Sequence, residues 1–199
     1  DTMNCCLFDV ASVLSGGFEM GNVWYNEPKT LDTAFDVMGD IVLSTAAQQY
    51  GGFTVPEVDK ILAPYAKKSY DKYVQEFLQY SDKSWTGREE KAIEYALDKV
   101  RRDFDQGWQG IEYKLNTVGS SRGDYPFVTV TLGLGTGQFE KMCNISLLEV
   151  HKGGQGRDGH KKPVLFPKIV FLYDENIHGP GQCCEDVFEA GVDCSAKTM

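Results

Sequence analysis

Phe127-Val128-Thr129-Val130-Thr131-Leu132-Gly133-Leu134 is the stretch on which the fold turns. Valine and threonine branch at Cβ and fit a pleated surface better than a helix, so these residues predict a strand. Glycines at 133, 135 and 137 punctuate its end, and residues 138–150 then carry a helical pattern. A further apolar run, residues 165–173, holds Val, Ile and Phe almost continuously and predicts a strand buried on both faces. Residues 3–10 read as a third. Strands separated by helices indicate an α/β architecture. Three strands are too few to close a barrel alone.

The helices are more legible. Ala34, Val37, Met38, Ile41, Val42 and Thr45/Ala46 recur with helical spacing over residues 32–50, with Thr30 or Asp32 as cap and Gly51-Gly52 as stop. Pro56 opens a second helical stretch that is expected to break at Pro64 and to run to Tyr80. Residues 81–87 form a linker. The longest stripe, Ile93, Leu97, Val100, Phe104, Trp108, Ile111 and Leu115, predicts a helix packed along one face. Gly107 and Gly110 interrupt it, each costing about 1 kcal/mol relative to alanine, and suggest a break or a close contact near Trp108. Residues 182–196 are weakly helical.

At 199 residues the chain is long enough for one domain with a sizeable core. A net charge of −9 argues against a general nucleic-acid binder, which needs a basic face. No apolar run approaches the roughly 20 residues that cross a bilayer. The sequence begins at Asp1 without an initiator Met, as an excised or partial sequence does. Six cysteines, with two adjacent pairs at Cys5-Cys6 and Cys183-Cys184, are too few for a disulfide scaffold and suit a reducing cytoplasm. Asn144-Ile145-Ser146 and Arg122-Gly123-Asp124 are then coincidental motifs.

Several blocks occur in a telling order: Asn4-Cys5-Cys6-Leu7, Gly16-Gly17-Phe18-Glu19, Glu27-Pro28-Lys29, Gln48-Gln49-Tyr50-Gly51-Gly52 and Leu62-Ala63-Pro64-Tyr65. They are followed by Asn116-Thr117 through Gly123, Pro126-Phe127-Val128-Thr129, Gly133-Leu134-Gly135-Thr136 and Val164 through Phe171. In this order the chain resembles the anaerobic ribonucleoside-triphosphate reductases, the glycyl-radical class of ribonucleotide reductase. The resemblance spans nearly the whole sequence. It implies a barrel built of two five-stranded halves, with residues 1–199 supplying the first half and its outer helices as a single domain: α/β, a partial glycyl-radical-enzyme-type barrel. It also implies ribonucleoside triphosphates as substrates, deoxynucleoside triphosphates as effectors, a homodimer and a radical-SAM activating enzyme.

Thiols give up hydrogen atoms readily, so the cysteines are the first candidates for radical chemistry, although cysteine also serves as a small buried hydrophobe. The resemblance implies that a cysteine of the Asn4-Cys5 motif reduces the ribose. Neighbours on a strand point to opposite faces, so only one of the pair faces the substrate. Cys5 is the choice and Cys6 the alternative. Asn4, Asn116, Ser120 and Ser121 are candidate substrate-binding residues, the last three from a polar loop that can equally form turns and caps. Glu27, Asp40 and Lys72 are candidate effector-binding residues, with exposed helix charges as the alternative reading.

Other motifs fall short. The loop at residues 133–137 has Gln138 where a dinucleotide fingerprint needs glycine, and the Walker-like spacing at 154–159 is followed by His160-Lys161 rather than Lys-Ser/Thr. Cys183, Cys184, Cys194 and His178 lack the Cys-x-x-Cys spacing of a metal site, so no metal is expected among them. Lys152, Arg157, Lys161, Lys162 and Lys168 make residues 151–168 basic in an acidic chain, which suits an anionic ligand or a solvated loop. The radical-bearing cysteine, the Arg-x-x-Gly-Tyr glycyl-radical motif, the zinc site and the ATP cone of the resembled family have no counterpart in these residues. Catalysis by these residues alone is therefore not expected, and a non-catalytic nucleotide-binding and dimerisation module is the alternative function. An inert remnant is the third.

Overall fold

The computed structural model describes residues 4–49, 51–117, 119 and 123–198. In chain order they form β1 (Cys6–Leu7), α1 (Val10–Gly16), β2 (Phe18–Met20), β3 (Val23–Tyr25), α2 (Leu31–Gln48), β4 (Phe53–Val55), α3 (Val58–Tyr80) and α4 (Arg88–Thr117). β5 (Val128–Leu132), α5 (Gln138–Gly153), β6 (Lys168–Phe171), α6 (Glu175–His178) and α7 (Glu185–Thr198) follow. β2 and β3 are an antiparallel hairpin, while β1, β4, β5 and β6 lie side by side in that order, all parallel.

Parallel neighbours need long crossovers, and each new strand here joins the same edge in chain order. Right-handed crossovers then stack the helices on one side of the sheet. Burial agrees. Phe53, Val55, Val128, Val130 and Leu132 point to the helices and are buried. The alternate row, Leu7 beside Thr54, Thr129 and Lys168, is half-buried or exposed. Among the described residues the sheet has one covered face and one open face.

That asymmetry corrects the reading of residues 165–173. β6 alternates exposed and half-buried, with Lys168 and Val170 on the open face and Ile169 and Phe171 against the helices. A nearly continuous apolar run signals a strand covered on both sides only when a layer lies on each side, and none does here among the described residues. The first strand is also shorter than residues 3–10. The Asp9 carboxylate accepts from the Ser12 amide at 3.1 Å and turns the chain into α1 at Val10. β4 has three residues, too few to show a period, and had no signal beyond the glycines before it.

α3 runs unbroken through Pro64, contrary to expectation. Proline in a helix interior costs about 3 kcal/mol, and the helix recovers it by burying Val58, Ile61, Leu62, Tyr65 and Ala66 in the core. α4 is central, touching α2, α3 and α5. Its buried stripe starts one position before the expected one. Ala92 and Ala96 face inward, whereas Ile93 is 45% exposed and Leu97 is half-buried. Small residues let α3 approach closely, and packing distance outranked hydrophobicity there.

Gly107 causes no break. A Cβ on it would lie 2.2 Å from the Phe35 ring, which stands edge-on to Trp108 with centroids 5.0 Å apart. At Gly110 nothing lies within 4 Å of such a Cβ. The two glycines therefore predict opposite outcomes. Gly110→Ala should stabilise the fold by about 1 kcal/mol through helix propensity. Gly107→Ala should destabilise it by up to about 2 kcal/mol, because overpacking of about 1–3 kcal/mol opposes the same propensity gain of about 1 kcal/mol. Urea denaturation of the two variants reads the difference directly. Equal effects from both would contradict the packing of Phe35 on Gly107.

Candidate functional site

The segment Asn4-Cys5-Cys6-Leu7 enters the sheet beside β4. The Cys6 amide donates to the Gly52 carbonyl at 3.1 Å and the Phe8 amide to Thr54 at 3.0 Å. Cys6 turns toward the helices. It is half-buried against the core, and its Sγ accepts from Gln49 Nε2 at 2.6 Å. Leu7, the next residue of β1, faces the open side, and Cys5, in the bend just before β1, is exposed. The open face presents Thr54, Thr129 and Thr131, and the Thr131 hydroxyl accepts from the Glu57 amide at 2.7 Å.

Gly51, which the sequence presents merely as a helix stop, lies against this segment. A Cβ there would fall 2.2 Å from the Asn4 carbonyl oxygen, 2.7 Å from Asn4 Oδ1 and 2.7 Å from Cys5 Sγ. Only glycine lets Asn4 and Cys5 lie so close to the β4 approach. Gly51→Ala should shift the Asn4–Cys5 segment and cost about 1–3 kcal/mol. The check is the rate of Cys5 alkylation alongside the melting temperature, and no change in either would remove Gly51 from the site. Gln49 belongs to one of the blocks that carry the resemblance, but no role for it is read from the sequence. Its Nε2 holds Cys6, a contact between residues 43 apart that no local pattern signals.

Asn116 makes the contacts of the structural one of its two readings. Its Nδ2 donates to the carbonyls of Glu112 (2.7 Å) and Phe166 (2.6 Å), and its Oδ1 accepts from the amides of Leu165 (3.0 Å) and Phe166 (3.1 Å). All four hydrogen-bonding positions of the amide are taken. As placed, Asn116 ties the end of α4 to the chain before β6 and has nothing left for a ligand. Ser120 and Ser121 lie outside the described residues.

The effector candidates do not converge. Glu27 pairs with Lys68 at 2.6 Å, and Asp40 accepts from the Tyr25 hydroxyl at 3.4 Å. Lys72 lies farther along α3, 6.0 Å from the Tyr73 ring centroid. No hydrogen bond or ion pair among the described residues joins Lys72 to Glu27 or Asp40. Lys68, one turn earlier, is the lysine that meets Glu27. Near Lys72, Tyr73 donates to Asp103 at 2.7 Å, and burial pushes both groups above their ordinary ranges. Asp103, with Asp32, Asp36 and Lys114, lines a groove of about 160 Å³ between α2 and α4.

The glycine loop after β5 points its amides inward. Asp59, fully buried on α3, accepts from the amides of Gly133 (3.4 Å) and Gly135 (2.9 Å) and from Asn144 Nδ2 (3.1 Å). An internal carboxylate thus holds the donors that a phosphate loop would offer to a ligand. His178 joins the same loop from the other side, with Nε2 2.9 Å from the Gly133 carbonyl and Nδ1 accepting from the Asp174 amide at 2.9 Å. Its nitrogens are therefore engaged. Among the described residues no group of three or more His, Cys, Asp or Glu is placed to hold a metal ion. In the basic segment, Gln155 and Lys162 bridge to form a small hairpin. Lys161 lines a shallow groove of about 310 Å³ with Gln109, Glu149 and Gln155.

The family model for anaerobic ribonucleoside-triphosphate reductase matches residues 1–199. The chain belongs to that family. Among relatives, the anaerobic ribonucleoside-triphosphate reductase of Enterobacteria phage T4 is 36% identical over 202 residues, covering 98% of this chain and 31% of its own length. Those of Haemophilus influenzae and Escherichia coli are 32% and 31% identical over 197 residues, covering 98% of this chain and 27% and 26% of their own lengths. The anaerobic ribonucleotide reductase of Thermotoga maritima, solved in complex with dATP and CTP, superposes with a TM-score of 0.66 at 14% identity. The match covers 98% of this chain and 32% of that one, and it shows the same fold. As an anaerobic reductase segment, the chain spans under a third of the length of these relatives. Within the described residues, no helix is long and apolar enough to cross a membrane.

Proposed function

We propose that residues 1–199 form the first half of the catalytic barrel of an enzyme that reduces ribonucleoside triphosphates to deoxyribonucleoside triphosphates. Cys5 is the residue that reduces the substrate. The observation that carries this is the exposure of Cys5 immediately before β1, inside a chain matched along its whole length by the reductase family. An exposed thiol there delivers one hydrogen atom to the ribose carbon from which the hydroxyl leaves as water, and the second electron and proton come from the complete enzyme's reductant, formate or a thiol. Asn4, packed on Gly51, holds the segment in place. The threonine row beside it supplies polar side chains for a sugar.

CTP and dATP in the Thermotoga maritima protein support a ribonucleotide as substrate and a deoxynucleotide as effector. For this chain the effector groups are Glu27, Asp40 and Lys72, with Lys68 as the nearer cation. A homodimer, a cytoplasmic location and a radical-SAM activase complete the reading. Reduction requires the complete reductase, because these residues carry neither the radical cysteine nor the glycyl-radical motif. The test is anaerobic conversion of CTP to dCTP by the complete enzyme carrying this segment. No dCTP from activated enzyme overturns the catalytic reading.

The small share of each relative that is covered favours one further reading: that these residues alone bind nucleotide without reducing it. A ligand that binds only the folded state raises apparent stability, by about 2.7 kcal/mol at a hundredfold excess over Kd. dATP or CTP should therefore raise the melting temperature of the chain. No shift with either nucleotide at millimolar concentration rejects the binding module.

A further inference from the structure

The chain has two adjacent cysteine pairs, and the fold treats them in opposite ways. Cys5 lies exposed just before β1, while Cys6, in β1, packs on the core and is held by Gln49, so the two thiols part. Cys183 and Cys184 occupy the turn before α7, and their Sγ atoms lie 3.7 Å apart. Cys183 is exposed. Cys184 is fully buried, its amide donating to the Ile177 carbonyl at 2.8 Å and its thiol facing the Gly135 carbonyl at 3.9 Å. The turn itself is pinned, because Lys141 donates to the Cys183 carbonyl at 2.6 Å and pairs with Asp186 at 3.0 Å.

We propose that Cys183 and Cys184 form a redox-active vicinal dithiol, a modification site that closes to a disulfide by exchange with small-molecule disulfides. The exposed Cys183, as thiolate, attacks one sulfur of the small disulfide, forms a mixed disulfide and releases one small thiolate. Cys184, losing its proton to solvent, then attacks the Cys183 sulfur and releases the second. Two protein thiols are oxidised and one small disulfide is reduced to two thiols. The order of events follows from burial: only Cys183 meets the reagent, and Cys184 needs only to cover the short distance to its neighbour. Burial also pushes the Cys184 thiol up to about 11, so the first attack belongs to Cys183.

Adjacent residues hold their Cα atoms about 3.8 Å apart, closer than the usual disulfide span of roughly 4.4–6.8 Å. The ring is strained and reopens readily with thiol, which suits a reversible modification rather than a structural bond. Closure also takes the Cys184 thiol away from the Gly135 carbonyl, linking the event to the glycine loop at the end of β5.

The experiment treats the protein with excess oxidised glutathione, alkylates free thiols and maps the peptides by mass spectrometry. The peptide containing Cys183 and Cys184 should lose two hydrogens, carry no glutathione and become alkylatable again after dithiothreitol. The peptide containing Cys5 and Cys6 should never close internally. Cys184→Ser should trap glutathione on Cys183, and Cys183→Ser should leave Cys184 unmodified. A glutathione adduct that persists on wild-type Cys183, or a pair that stays fully alkylatable, overturns the proposal. Because the wild-type result decides the matter, it stands even if a variant folds poorly.

Discussion

Asp59→Ala is expected to cost about 3–5 kcal/mol of folding stability, a large part of the roughly 5–15 kcal/mol that holds a domain together. The carboxylate is fully buried and accepts from two loop amides and the Asn144 side chain. Removing it leaves three donors without partners in an interior that water does not reach, at about 1–3 kcal/mol for each group fully stranded. Gly135 tightens the arrangement, since a Cβ there would fall 2.7 Å from Asp59 Oδ2. For a chain of this size the melting temperature should drop by about 10 °C. Asp59→Asn retains one acceptor and the side-chain shape but loses the charge, so its loss should be smaller. Urea denaturation of both variants is the measurement. An alanine variant within about 1 kcal/mol of wild type would mean that the loop amides find other partners, and the inward-facing loop would have to be abandoned.

The second large effect concerns activity. In the complete reductase, Cys5→Ala should lower deoxynucleotide formation by on the order of 10³-fold or more, comparable to losing a positioned proton donor or acceptor. Cys6→Ala should leave turnover close to normal and cost about 1 kcal/mol of stability for lost apolar packing. The contrast is the informative part. Both residues are cysteines, adjacent in sequence, and only their surroundings differ: Cys5 is exposed just before β1, while Cys6 accepts from Gln49 and packs on the core. Turnover measured alongside urea denaturation separates chemistry from folding. Equal losses of turnover from the two variants, or a normal Cys5→Ala enzyme, would remove Cys5 from its assigned role. Gly51→Ala belongs to the same test, because it should act on Cys5 through position while leaving the thiol itself intact.

Much of the fold was legible because helices and β-branched strands leave periodic marks. The spacing in residues 32–50 places α2 to within a few residues, and Phe127 through Leu134 contains all of β5. The resemblance carried by blocks from Asn4 to Phe171 identified the family, and strand alternation required only that Cys5 and Cys6 not face the same way. These are local properties: a side chain's period, a glycine's place, an ordered set of short motifs.

What lay beyond the sequence was set by contacts between distant residues. Pro64 stays helical because the first half of α3, Val58 to Ser69, is buried on both sides of it, and Ile93 faces out because the close approach of α3 to α4 favours alanine at positions 92 and 96. Asn116 looked like a ligand-binding residue until Phe166, 50 residues away, took its amide. Asp59 gave no sign of holding a loop 74 to 76 residues ahead. Gly51 and Gln49 became part of the cysteine segment only when β1 docked against β4. Periodicity reports how one element meets the core. Which buried donor meets which acceptor is decided by packing, where an unpaired polar group costs more than any local preference can return.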